Sequence, residues 1–174
     1  MKKILLLICI IGLFTPATLH AQDRANVFRH GKLDNGLTYY VRHTSMQPGK
    51  ADFYLVQNVG ALMEEDNQNG LAHFLEHMAF NGSESFKEGI PRFLNRRGIK
   101  QFNAMTGQDE TIYHINYVPV SDQSLVDSCL LVLKDWSGFL LLNPVEIDKE
   151  RGVIFEERRS RRDVNTRIRE QVDP

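Results

Sequence analysis

The chain has 174 residues, a length that suits one domain better than two. At 42% hydrophobic and 25% charged it has the composition of an ordinary globular chain, which excludes collagen-like, disordered and polytopic membrane classes. With 21 Lys+Arg against 22 Asp+Glu the net charge is -1, which leaves no basic footprint for nucleic acid.

The start of the chain reads as a leader. Met1-Lys2-Lys3 is cationic, Ile4 to Phe14 is apolar apart from Gly12, and Thr18-Leu19-His20-Ala21 ends on a small residue. That order is the layout of a secretory signal peptide. The apolar run falls short of the roughly 20 residues that a membrane-spanning helix needs. Cleavage after Ala21 is therefore expected, with an uncleaved anchor as the rival. The division is a signal peptide over residues 1–21 and one partial domain over 22–174, exported to the periplasm or secreted, with no transmembrane helix after cleavage. Cys9 leaves with the leader. Cys129 then stands alone, and its apolar neighbours Leu125 to Leu133 suit a buried inert thiol.

The predicted elements follow in order. Gln22 to Asn26 is a polar entry, and Asp34-Asn35-Gly36 is a turn leading into a strand over Leu37 to His43. Gln47-Pro48-Gly49 punctuates before a second strand, Ala51 to Val59, with Phe53, Leu55 and Val59 on one face. Leu71 to Phe80 reads as a compact helix stopped by Asn81-Gly82, and a short helix covers Pro91 to Arg97 before Gly98. Strands over Lys100 to Met105 and Thr111 to Val118 are joined across Thr106 to Asp109. Ser121 is expected to cap a long helix running to about Leu142, with Trp136 and the leucines Leu130 to Leu142 as core. Asn143-Pro144 with Glu146 opens a last helix toward Arg169. Short turns between adjacent strands, without strict strand–helix alternation, predict an α+β domain: a mixed, largely antiparallel sheet packed against helices. The end at Pro174, straight after a charged helix, reads as a C-terminal truncation.

The chemistry is concentrated in His73-Phe74-Leu75-Glu76-His77. At 100° per residue the side chains of His73, Glu76 and His77 fall within about 100° of one another, so they share one helix face. Two imidazoles one turn apart can grip a zinc ion, and a carboxylate between them can reach a water on it; the order H-x-x-E-H inverts the commoner H-E-x-x-H. The bland alternative is a polar face on an ordinary helix. Leu71, Phe74, Leu75 and Met78 argue against it, because they would enclose the trio, and enclosed titratable groups need partners.

A third ligand comes from the last helix. With Ile147 set at 0°, Ile154, Val164 and Ile168 define an apolar stripe centred near about 290°. Glu150 and Glu157 fall inside it, at about 300° and 280°, whereas Glu156 falls outside, at about 180°. An unpaired buried charge is costly. An ion pair with Arg161 on the same stripe would be the simpler account of this helix alone; beside the helix of His73 and His77, metal ligation is the better one. The arginine-rich stretch Arg158 to Arg169 reads as a solvated face, and His30, His43 and His114 lack ligand spacing.

Gly70 to Gly82 (GLAHFLEHMAFNG), Asn103-Ala104-Met105-Thr106 with Asp109 to Tyr113, and Glu150 to Glu157 (ERGVIFEE) together closely resemble the pitrilysin/insulinase family of zinc metallopeptidases. The resemblance runs from about Gly31 to the end in the family's own order. It implies the fold of that family's N-terminal domain and one Zn²⁺ held by His73, His77 and Glu157. Glu76 would be the general base acting on the metal's water, and Glu150 a second acidic residue supporting the site. It further implies that the strand carrying Asn103 and Ala104 is an edge that receives a peptide substrate by strand addition. Family members are much longer, so homologous domains or a partner subunit would be needed to close the substrate chamber. The implied activity is a zinc metalloendopeptidase acting on peptides or small unfolded proteins. The alternative is a non-catalytic or truncated member that binds zinc or peptide without efficient hydrolysis.

Overall fold

A computed structural model of the chain describes residues 28–160; the expected leader and the helix beyond Ser160, with Arg161, Val164 and Ile168, lie outside the described residues. The chain divides into two units, which meet between Met46 and Gln47. In the first, β1 (Phe28–Lys32) and β2 (Thr38–Arg42) pair antiparallel, from Phe28 opposite Arg42 to Lys32 opposite Thr38. The expected turn closes this hairpin: Gly36 adopts φ 90°, and Leu37 N–H donates to Asn35 Oδ1 at 3.1 Å. The first of these strands was not anticipated, because Arg-His-Gly-Lys offers few residues with β preference.

The second unit is built on a three-stranded antiparallel sheet of β3 (Lys50–Gln57), β4 (Phe102–Thr106) and β5 (Thr111–Pro119), in the order β3-β5-β4. Strand alternation sends Leu55, Ala104, Tyr113 and Ile115 into one buried face. The expected face over β3 holds for Phe53 and Leu55 but not for Val59, which lies beyond the strand and is half exposed.

Helices cover that face: α1 (Leu71–Met78), α2 (Ile90–Arg96) and α3 (Gln123–Trp136), followed by α4 (Pro144–Ser160). Ile90 and Leu94 from α2, and Leu125, Cys129, Val132 and Trp136 from α3, complete the core. Cys129 is fully buried, and desolvation pushes its thiol up to about 11.

Two expectations about α3 are corrected. Asp122, not Ser121, is the cap, its side chain accepting from Leu125 N–H at 3.0 Å. The helix also ends at Trp136, well before Leu142, because Ser137-Gly138 breaks it and the chain turns to run beside the loop after α1. There Glu84 N–H donates to Phe139 O at 2.9 Å, and Leu141 N–H to Gly82 O at 2.9 Å. Hence Leu133 and Leu140 pack on the core while Leu130, Leu131, Leu141 and Leu142 are exposed. Asn143 opens α4 as expected, accepting Val145 N–H at 2.9 Å. Among the described residues no helix is long and apolar enough to cross a membrane.

Candidate metal centre

The short helix α1 is fastened at both ends. Gly70 takes φ 90° just before it, and the Glu64 carboxylate accepts Gly70 N–H at 2.6 Å and Ala72 N–H at 2.7 Å. These are among the N–H groups that a helix cannot satisfy internally. At the far end Trp136 Nε1–H donates to Ala79 O at 2.8 Å. The fully buried Asp135 carboxylate then gathers the following loop, accepting Ser83 Oγ–H and Ser85 N–H, each at 2.7 Å.

Between these fastenings His73, Glu76 and His77 share one face. The two imidazoles stand edge to face, with centroids 4.6 Å apart and an angle of 84°. Helix α4 packs along α1 and presents the same side chains that its periodicity selects: Ile147, Glu150, Ile154 and Glu157 are its half-buried positions together with Glu146, while Glu156 turns outward to Arg159. Glu157 Oε2 lies 3.2 Å from His77 Nε2 and 3.7 Å from His73 Nε2, and the two Nε2 atoms are 3.1 Å apart. Glu150 Oε1 takes the opposite side of His77, 2.7 Å from Nδ1. With Nδ1–H donating to Glu150, the Nε2 lone pair would face His73 and Glu157.

These three atoms form the cluster among the described residues that can hold a metal ion. A tetrahedral zinc with bonds of about 2.0–2.1 Å separates its ligand atoms by roughly 3.3–3.4 Å, and the three observed separations bracket that edge. The donor set of two imidazoles and one carboxylate is a ligand set that suits zinc. The enclosure is less complete than expected. Glu76 is buried, but the side chains of His73, His77 and Glu157 keep 31%, 21% and 22% of their exposure, because Leu71 and Leu75 point outward.

Glu76 is oriented by Thr106, which belongs to β4 and not to the expected turn. Thr106, the last residue of β4, donates its hydroxyl to Glu76 Oε2 at 2.8 Å. Tyr113 lies buried nearby on β5; burial first, then the Glu76 charge, pushes its phenol up to about 12. Neither Thr106 nor Glu64 carries a site signature in its local sequence. Thr106 shares the inward face of Phe102 and Ala104 by simple alternation, which could have revealed it. Glu64 lies six residues before the group it caps, so no local capping signature marks it.

Asn103 and Ala104 are not brought to the cluster through their side chains. Ala104 is buried in the core, and Asn103 is exposed on the opposite face, across from His114. β4 bonds to β5 along one edge only, and no strand among the described residues pairs with the other.

A helix bearing H-x-x-E-H, a second helix supplying a glutamate and an antiparallel sheet beneath them define a metallopeptidase-like domain. Residues 34–172 match the family Insulinase (Peptidase family M16), and the chain belongs to it. It is 37% identical over 145 residues to "Zinc protease PQQL-like" of Arabidopsis thaliana, covering 81% of this chain and 15% of that protein. Against "Probable zinc protease PqqL" of Haemophilus influenzae it is 37% identical over 137 residues, covering 76% and 15%. The crystal structure of the periplasmic protease PqqL from Escherichia coli superposes with a TM-score of 0.76 at 32% identity, over 83% of this chain and 16% of that one. The chain thus spans about 15% of the length of these two relatives, whose names are those of a zinc protease-like and a probable zinc protease.

Proposed function

We propose that this chain carries the zinc-binding part of an exported metalloendopeptidase, with His73, His77 and Glu157 as the ligands of one Zn²⁺. The observation that supports it best is the convergence of two Nε2 atoms and one carboxylate oxygen at near-tetrahedral spacing. Bound there, zinc would acidify a water and polarise a scissile carbonyl. The protein's own groups do the rest. Glu76 takes a proton from the attacking water and returns it to the leaving amine. Thr106 holds one oxygen of Glu76, so the other stays available for that transfer. Glu150 keeps His77 in the tautomer that ligates.

The free edge of β4 suits an extended peptide that adds as a further strand, with main-chain groups at Asn103 and Ala104 as its partners. Substrates of this kind are peptides or small unfolded proteins, whose backbones are free to pair. Closure of the chamber would come from homologous domains or from a partner subunit. Export rests on the leader pattern over residues 1–21 and on a periplasmic structural relative.

Zinc content and hydrolysis of a quenched fluorescent peptide test the reading together. One zinc per chain, lost in His77→Ala, with hydrolysis lost in Glu76→Gln while zinc is kept, is the expected result. A chain that binds no zinc would overturn the reading, and zinc without hydrolysis in the peptidase-complete protein would make it a binding member.

A further inference from the structure

The two histidines of α1 are not supported alike. His77 has the Glu150 carboxylate behind its Nδ1, whereas no hydrogen bond to His73 Nδ1 is present among the described residues. His73 lies in the first turn of a helix only eight residues long, where the backbone is held from outside. We propose that Glu64 is a positioning residue of the metal centre, fixing the first turn of α1 and through it the His73 ring. This inference rests on the zinc reading above.

The geometry supports a clasp and not a local cap. Both Glu64 oxygens are used, at 2.6 Å to Gly70 N–H and 2.7 Å to Ala72 N–H, reaching six and eight positions along the chain. A carboxylate gains from backbone N–H donors and from the positive end of the helix dipole. The segment bearing Glu64 is itself fixed. Ala61 N–H donates to Gly107 O at 3.1 Å and Leu62 N–H to Gln108 O at 2.8 Å. Gly60 permits this approach, since a Cβ there would meet Gly107 O at 2.5 Å. Gly107 directly follows Thr106, which holds Glu76. One turn between β4 and β5 therefore sets the base through Thr106 and the first ligand through Glu64. An unclasped first turn would let His73 drift while His77, tied to Glu150, stayed in place.

The test is the zinc dissociation constant of the 174-residue chain by competition with a chromophoric chelator, beside thermal unfolding of the metal-free forms. Glu64→Gln keeps the side-chain volume but turns an NH2 toward one of the two N–H groups; it stands in for Glu64→Ala if that variant fails to fold. We expect zinc to bind about 10- to 100-fold more weakly in Glu64→Gln. In a His73→Ala background, adding Glu64→Gln should change the residual affinity less than twofold. Unchanged affinity in folded Glu64→Gln would overturn the proposal. So would an equal loss with and without His73, which is what a merely structural role produces. A wild-type chain that binds no zinc would overturn the zinc reading itself, an outcome distinct from either.

Discussion

Thr106 and Glu76 are joined by a 2.8 Å hydrogen bond from the Thr106 hydroxyl to Glu76 Oε2, thirty positions apart in the chain. It ties the end of the free-edged strand to the only acidic residue on the metal-facing side of α1. Thr106→Val removes the donor and little volume. On the peptidase-competent protein we expect kcat to fall about 10- to 100-fold, the size of one hydrogen bond to a charged group, with KM and zinc content unchanged. Thr106→Ser should restore most of the loss. Steady-state kinetics on one peptide decide it, and an equal defect in the serine variant would rule out the hydroxyl as cause.

Glu157 and Glu156 are adjacent but face different ways, which makes a paired control. A ligand that binds only the folded chain stabilises it by about 4 kcal/mol at a thousandfold excess over its dissociation constant. Zinc should therefore raise the melting temperature of the wild type and of Glu156→Gln alike, and chelator should reverse the rise. Glu157→Gln should abolish it. Scanning fluorimetry with and without zinc is sufficient, and a zinc response that survives in Glu157→Gln would remove that residue from the ligand set.

Glu150 is not one of the three converging side chains but backs His77 Nδ1 at 2.7 Å. Glu150→Gln can still accept a hydrogen bond there, though without charge, whereas Glu150→Ala cannot. We expect zinc affinity to fall by about 10- to 100-fold in the alanine variant and by less in the glutamine one. Competition titration of both variants checks the order, and the reverse order would contradict it.

Asp135 is fully buried and holds Ser83 and Ser85 at the exit of α1. Asp135→Ala would leave the buried Ser83 hydroxyl without its acceptor, whereas the N–H of exposed Ser85 could turn to water. A loss of about 1–3 kcal/mol in urea unfolding is expected, the penalty for one buried hydroxyl left unpaired. A change under 1 kcal/mol, below that per-group penalty, would mean that the loop is held by other contacts.

Alkaline pH should weaken the fold through Tyr113 and Cys129, whose acids are raised to about 12 and about 11 from 10.0 and 9.0. Each stays protonated in the folded chain while the unfolded chain ionises, so the unfolded state binds fewer protons. Stability is then fully present below about pH 9 and declines as pH rises toward 12. Tyr113→Phe keeps the ring stacked on Trp136 and should flatten the upper part of that decline. Denaturant midpoints measured between pH 8 and 11 give the slope; an identical slope in the phenylalanine variant would exclude the tyrosine.

Much of the domain was legible because its signals are periodic. His73, Glu76 and His77 share a face by helical spacing, and the phase of α4 alone separates Glu157 from Glu156. Sheet pairing was legible from the strands around Thr106 to Asp109, which do form adjacent antiparallel partners. What escaped reading was tertiary in origin. Glu64 reaches across two short turns to its helix, and Thr106 reaches from one layer to another, so neither leaves a trace within a few residues of its partner. α3 ends early for a similar reason. The apolar run to Leu142 favours more helix, but the loop after α1 offers backbone hydrogen bonds to Phe139 and Leu141 that an extended segment alone can take.

Glu150 and Glu157 keep to one side of α4 because seven residues make nearly two full turns. The length of the stretch between them is thus as constrained as the identity of the carboxylates at its ends. One inserted or deleted residue there swings one acid about 100° away from the other, out of reach of the histidines, even if every original side chain is retained. Substitution at exposed Arg151, Val153 or Phe155 leaves that phase intact. In a library of single-residue insertions, positions 151–156 should therefore tolerate changes of letter far better than changes of count.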